Sequence, residues 1–271
     1  MIVDYHMHLR DERGEIAFTV DAVERFVEQA ALRGVDEIGF TEHVYYFRET
    51  LELWEVPYLY ERCVFELDSY CDAVVEAKRC GLPVKLGLEV DFVGDRQQRL
   101  AELLDPYPWD FLLGSVHWLG RVAFDMRPGV WDELPVDEVW ERYFDAVGTL
   151  AASGTIDVFA HLDLAKIFGL RPDADVLVRL YESAAEAITA AGACVEISTA
   201  GLRKPVGEMY PDPSLLAECV RRGVGVTLAS DAHEPQLVGE EFERAVAAAR
   251  AAGCETVTVF DGRVARQEPL G

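Results

Sequence analysis

The 271-residue chain predicts an α/β fold on a parallel sheet, arranged as a barrel rather than an open sheet. Three observations carry this expectation. Amphipathic helices that end in glycine alternate with short apolar strands, as parallel strands with helical crossovers require. Seven or eight such units fit the length, and single α/β barrels run to this size. All six histidines fall at the C-terminal ends of expected strands, which in a parallel barrel form one face.

The elements follow in order. The start MIVDYHMH reads as a strand ending on His6 and His8. Residues 21–33 put Val23, Phe26, Val27 and Ala30 on one helical face, with Asp21 and Glu24 at capping-box spacing and Gly34 at the C-terminal position that favours glycine. Residues 35–43 (VDEIGFTEH) form the next strand and end on His43. The aromatic-rich stretch 44–60 reads as a packed loop and helix start, with a lid or substrate wall as the alternative. A helix over 61–80 and Gly81 precede PVKLGLEVDF, which carries Glu89 and Asp91. A shorter helix near 95–104 precedes FLLGSVH and His117. Helices over 136–152, 173–191 and 213–222, each closed by a glycine, lead to TIDVFAH, ACVEISTA and VGVTLASDAH, with His161, Asp231 and His233 at the strand ends. A last helix over 239–252 runs through Gly253 to a final strand, ETVTVF. No Ser/Gly/Pro linker divides the chain, so residues 1–271 read as one domain.

Composition narrows the function. Lys and Arg number 25 against 49 Asp and Glu, a net charge of −24 that repels nucleic acid and anionic membranes. The same field repels an anionic substrate unless local cations override it. The six cysteines form no C-x-x-C pair and read as buried thiols. Asp4, His6, His8 and Arg10 interrupt any apolar leader, and no stretch approaches the roughly 18 apolar residues of a membrane span. A cytoplasmic protein is expected.

The H-x-H spacing has a mechanism. Alternate strand residues point the same way, so His6 and His8 project together. A single histidine at a strand end is more often a satisfied polar residue than a ligand, but six of six on one face is a pattern. Imidazoles with Glu89 and Asp231 nearby suit Zn²⁺, Fe²⁺ or Mn²⁺. So many donors exceed one tetrahedral site, and two or three metals are implied. Such a cluster also makes a positive well in an acidic protein.

In this order, DYHMH, FTEH, GLEVD, GSVH, FAH and SDAH resemble the PHP (polymerase and histidinol phosphatase) family, over nearly the whole chain. GSVHWL, AHLDLAK, EISTAGLRKPVGEMYP and SDAH are similar to its histidinol-phosphate phosphatase branch. The resemblance implies a distorted seven-stranded (β/α) barrel with a trinuclear site at the C-terminal ends of the strands. One metal would take His6, His8, Glu89 and Asp231. A second would share Glu89 and add His117 and His161, and a third would take His43 and His233. Family members often carry a further histidine just after H-x-H. Here LRDERGE has none: either Asp11 or Glu12 substitutes, or the third site is weak. Glu42 and Asp91 sit beside ligands as candidate supports. The zinc amidohydrolases also open with H-x-H but typically supply a bridging lysine from a middle strand. Lys85 and Lys166 flank those positions rather than occupy them.

Metal-bound water falls from a pKa near 15.7 to roughly 7, so hydroxide attack on a phosphate monoester needs no protein nucleophile. Asp231 or His233 is the candidate proton shuttle. Arg203, Lys166, Arg10 and Lys204 follow site-facing strands and are candidate phosphate contacts, with the Arg203 guanidinium suited to bidentate grip. Trp118 or aromatics of 44–60 could take the cationic end of histidinol. The resemblance implies metal-dependent hydrolysis of L-histidinol phosphate in histidine biosynthesis. The alternatives are a PHP phosphoesterase acting on another small phosphate or nucleotide, and a metal-binding module without activity. Oligomeric state is not encoded in any readable pattern.

Overall fold

The computed structural model describes residues 1–9, 15–126, 131 and 134–271. Strand β1 (Val3–Asp4), helix α1 (Val20–Leu32) and β2 (Glu37–Phe40) open the chain. Helix α1 buries Val23, Phe26 and Ala30, the expected face. Its cap differs from the expectation. Thr19, in extended conformation, accepts the Ala22 N–H at 3.2 Å, so the helix begins before Asp21, which sits in the first turn where a carboxylate favours the dipole.

Residues 44–53 form two short 3₁₀ turns, and α2 (Pro57–Tyr60) follows. Val44, Phe47 and Leu53 are buried in the core, as a packed loop requires, while Tyr45 and Tyr58 line a cavity. Helix α3 covers Leu67–Arg79, shorter than expected: the Glu49 carboxylate accepts the Leu67 N–H at 3.1 Å and sets the start. The chain continues through β3 (Val84–Leu86), β4 (Glu89–Asp91), α4 (Gln97–Leu104), β5 (Leu113–Ser115) and the small hairpin β6 (Trp118–Leu119) and β7 (Val122–Ala123). Then come α5 (Val136–Ser153), β8 (Val158–Phe159), α6 (Ala174–Ala191), β9 (Cys194–Ser198), α7 (Pro213–Arg221), β10 (Val226–Ala229) and α8 (Phe242–Ala251). Gly154 and Gly192 close α5 and α6 with φ of 64° and 67°, left-handed values that an L side chain resists.

The large strands run parallel in two sheets, β1-β2-β3 and β10-β9-β8-β5-β4. Hydrogen bonds link the sheets on both sides. Tyr5 N–H donates to Leu228 O at 3.0 Å and His8 N–H to Ala232 O at 2.8 Å. Glu89 N–H donates to Glu42 O at 3.0 Å. With β3 and β4 as two parts of one interrupted strand, this is the order that a distorted seven-stranded barrel needs. Phe111 fills the interior, stacked on Tyr5 at 4.9 Å and on Phe260 at 5.7 Å. This aromatic floor supports the histidine-bearing strand ends.

ETVTVF does not extend the parallel set. It forms β11 (Thr256–Asp261), which pairs antiparallel with β12 (Val264–Pro269). Gly262 and Arg263 both have positive φ, 55° and 64°, which is the two-residue turn that joins hairpin strands. No helix among the described residues is long and apolar enough to cross a membrane.

Candidate metal centre

The strand ends bring the six histidines, Glu89 and Asp231 into one cluster, of which His43, Glu89, His117, His161, Asp231 and His233 line a cavity while His6 and His8 are buried. Glu89, from β4, is the hub. Its Oε2 lies 2.6 Å from His43 Nδ1, 3.6 Å from His6 Nε2 and 3.7 Å from His8 Nε2. Its Oε1 lies 3.1 Å from His161 Nε2 and 3.5 Å from His117 Nε2. Asp231 Oδ1 lies 3.4 Å from His8 Nε2, 3.3 Å from His233 Nε2 and 3.7 Å from His6 Nε2. The backbone at two of these residues is strained to aim them: φ is +52° at Asp231 and +25° at His161.

Three carboxylates hold the rings from behind. Glu196 of β9 reaches His6 Nδ1 at 3.0 Å and accepts the His161 backbone N–H at 2.7 Å. Asp91 meets His117 Nδ1 at 2.7 Å. Glu42 stands 3.5 Å from His8 Nδ1 and accepts the Leu9 N–H at 2.6 Å. These supports leave Nε2 of His6, His8 and His117 facing inward, as metal-ligating histidines require.

The fit to cations rests on three groups of donor atoms. Those of His6, His8 and Asp231, of His6, Glu89 and His161, and of His8, His43 and His233 each lie within 4.8 Å of one another. His6 Nε2 and His8 Nε2 are buried with no carboxylate oxygen nearer than 3.4 Å, and neither has a well-formed hydrogen bond among the described residues. Buried polar atoms left this way are costly, and a divalent ion with imidazole and carboxylate ligands satisfies them. The fields agree. Burial opposes charge on His6, but the Glu196, Glu89 and Asp231 carboxylates outweigh it and hold its pKa well above the ordinary value. Burial pushes His43 down to about 4. Burial also opposes charge on His117, yet Asp91 and Glu89 lift it to about 10. Glu89 and Asp231 are held well below the usual carboxylate range, because the surrounding imidazoles overcome the effect of burial.

Residues 4–200 match the PHP domain family. The chain belongs to that family. A probable histidinol-phosphatase of Deinococcus radiodurans is 35% identical to this PHP protein over 238 residues, which cover 85% of this chain and 87% of the relative. A probable histidinol-phosphatase of Schizosaccharomyces pombe is 26% identical, covering 82% of this chain and 78% of the relative. The fold is that of the histidinol phosphate phosphatase of Lactococcus lactis, solved as a complex with zinc, L-histidinol and phosphate. The TM-score is 0.78 at 21% identity, with 98% of each chain covered.

The expected phosphate contacts fare differently in this PHP domain. Arg203 is not among the residues that line the cavity: it donates to Ser230 O at 2.6 Å and Asp231 O at 3.3 Å and pairs with Glu240 at 3.0 Å. The 3₁₀ turn Ala200–Arg203 redirects it. Lys166 is fully buried, 3.1 Å from Asp163 and beneath the Tyr210 ring. Lys204 instead lines the cavity, as do Tyr210 and Asp125. Arg10, Asp11 and Glu12 lie outside the described residues. Sequence reading missed Glu196. Its signal was a lone carboxylate inside the apolar strand CVEIS, every residue of which is buried.

Proposed function

We propose that this chain is a metal-dependent phosphoric monoester hydrolase that converts L-histidinol phosphate to L-histidinol and phosphate, a step of histidine biosynthesis. Residues 1–271 are taken as one catalytic unit acting in the cytoplasm on a small phosphorylated substrate. The observation that carries the reading is the convergence of six imidazoles with Glu89 and Asp231 in one cluster at the strand ends, with the inward Nε2 atoms of His6 and His8 left without a well-formed hydrogen bond. The name of the Deinococcus relative supplies the substrate.

The donor set fits two or three divalent ions. His6, His8, Glu89 and Asp231 would hold one, Glu89 with His117 and His161 a second, and His43 with His233 a third. Zinc, iron and manganese all suit these ligands. When bound, the ions supply Lewis acidity, which activates water at neutral pH and neutralises phosphoryl charge. The chain does the rest. Glu196, Asp91 and Glu42 fix the rings. Lys204 meets the phosphate from the cavity wall, and Arg10 is a further candidate for that contact. Asp231 and His233, 3.3 Å apart, are assigned the transfer of a proton to the leaving oxygen. Arg203 and Lys166 act on the frame, Arg203 by bracing the Ser230–Asp231 turn and Lys166 by pairing with Asp163.

The test is steady-state phosphate release from histidinol phosphate beside a panel of other phosphate esters, with metal content measured on the same sample. Strong preference for histidinol phosphate with two or three metals per chain supports the reading. Weak, unselective activity on a metal-loaded chain removes the substrate assignment, and no activity at all removes the phosphatase.

A further inference from the structure

A second cavity, of about 170 Å³, lies outside the metal centre. It sits between residues 53–59, the turn that follows β4, and the β6–β7 hairpin. Among the described residues its lining shares only Trp118 with the metal cavity, and it includes none of the histidines, Glu89 or Asp231. Trp54, Leu59, Phe92 and Trp118 make its apolar walls. The Trp54 indole N–H already donates to the Thr50 hydroxyl at 2.9 Å, which leaves the ring's apolar surface for packing.

Two guanidinium groups, Arg96 and Arg121, complete the lining. With 49 acids for 25 bases, an arginine of this chain has carboxylates in abundance. Arg96 Nη1 pairs with the exposed Glu55 at 3.2 Å, but its Nε is shut off from solvent and has no hydrogen bond among the described residues. Asp95 Oδ1 stands 3.9 Å from that Nε, beyond hydrogen-bond reach, and the Asp95 side chain is 98% exposed. Arg121 has neither ion pair nor hydrogen bond among the described residues. Gln97, next to Arg96, accepts the Val93 N–H at 3.1 Å through its oxygen, while its buried Nε2 has no acceptor. Buried donors left this way are unfavourable, and an acceptor bound here relieves them.

We infer that this cavity is a second ligand site, for a small aromatic carboxylate whose ring packs on the tryptophan and phenylalanine walls and whose acid group meets Arg96 and Arg121. Size, walls and charge each narrow the ligand. A cavity of about 150 Å³ holds benzene, so this one takes a single ring with a small substituent. Aromatic walls favour a flat ring. A guanidinium fork matches a carboxylate in two parallel hydrogen bonds. Glu55 and Asp95 oppose an anion, but both lie in solvent, where salt screens them, and the buried Nε is screened far less. Those acids and the net charge of −24 favour a singly charged ligand over a phosphate dianion. The site uses no metal and is independent of the phosphatase reading.

The test follows the indole N–H signals of the zinc-loaded chain by NMR as benzoate is added, beside benzamide, acetate and inorganic phosphate. Trp54 lines this cavity and not the metal cavity, and Trp54→Phe identifies its signal. Benzoate should move that signal saturably, with a Kd of roughly 1 mM or tighter. Benzamide keeps the ring without the charge, and acetate the charge without the ring. Each should bind about tenfold more weakly or worse, and phosphate likewise. Arg96→Gln and Arg121→Gln should each weaken benzoate about tenfold at an unchanged melting temperature, which separates lost binding from lost folding. No saturable shift at Trp54 overturns the site. So does benzamide, acetate or phosphate binding as tightly as benzoate, or an affinity for benzoate that neither arginine variant alters. A Trp54 shift that disappears once zinc is stripped from a still folded chain overturns it too, because the acid then sits on the metals.

Discussion

Glu196 and His6 meet at 3.0 Å between a carboxylate oxygen and Nδ1, both side chains buried, with the other oxygen of Glu196 on the His161 backbone N–H at 2.7 Å. One carboxylate thus sets the ring direction of the first histidine and the strained turn that presents another. Glu196→Gln keeps the shape and removes the charge. It should lower metal affinity or turnover about 10- to 100-fold, the usual cost of losing such a partner. Metal titration of the variant by competition with a chelator checks this, and wild-type affinity in Glu196→Gln would contradict the role.

What the sequence made legible was local. Helix–glycine–strand rhythm and the six strand-end histidines need only neighbouring residues to be read, and the cluster follows once parallel strands share a face. Side-chain direction past a strand end is not local. Arg203 follows its strand closely, but a 3₁₀ turn swings it back onto the carbonyls of Ser230 and Asp231. Glu196 was obscured by its type, since acids abound in this chain and its position inside the apolar run CVEIS was its one mark. The C-terminal hairpin left only a partial mark: Gly262 in F-D-G-R-V signals a turn between two apolar-alternating runs, but the turn residues are Gly262 and Arg263 rather than an Asp-Gly pair, and ETVTVF reads as one more parallel strand.

Metal removal should abolish phosphate release and lower the melting temperature. Without cations, Glu89 and Asp231 are two carboxylates in a buried cluster whose charge only protonated imidazoles can offset. Ions that bind the folded chain alone stabilise it by mass action. Dialysis against a chelator, then return of zinc, manganese or ferrous iron, should erase and restore both quantities together. Full turnover by a demonstrably metal-free chain would refute the assignment.

Asp4 ties β1 to the turn that carries Asp231. Its carboxylate accepts the Ser230 N–H at 2.9 Å, the Ser230 hydroxyl at 2.5 Å and the Gly239 N–H at 2.9 Å. Burial still dominates and raises its pKa to about 6. A folded-state pKa above the unfolded value near 3.8 means that the native chain binds the extra proton, so this group's contribution falls as pH rises from about 4 to about 6. The swing is on the order of 3 kcal/mol. Asp4→Asn has no such proton. Its stability deficit relative to wild type should therefore be largest near pH 4 and shrink above pH 6, read from denaturant unfolding of both metal-free chains across that range. A deficit that grows with pH would reverse the sign and refute the argument.

The floor beneath the site depends on the absence of two side chains. A Cβ on Gly39 would stand 2.6 Å from Phe111 Cζ, and one on Gly87 would stand 2.8 Å from the same atom. Phe111 cannot yield easily, because Tyr5 and Phe260 stack against it and it is fully buried. Gly39→Ala should therefore cost about 1–3 kcal/mol by overpacking. Replacing Phe111 by leucine removes the ring that the new methyl strikes, while leaving a void that costs stability by itself. The two changes should then couple: Gly39→Ala should cost markedly less in the Phe111→Leu background than in wild type, by an interaction on the order of 1 kcal/mol. A double-mutant cycle in denaturant unfolding measures that difference. Strict additivity would mean that Gly39 is required for its backbone and not for the room it gives Phe111.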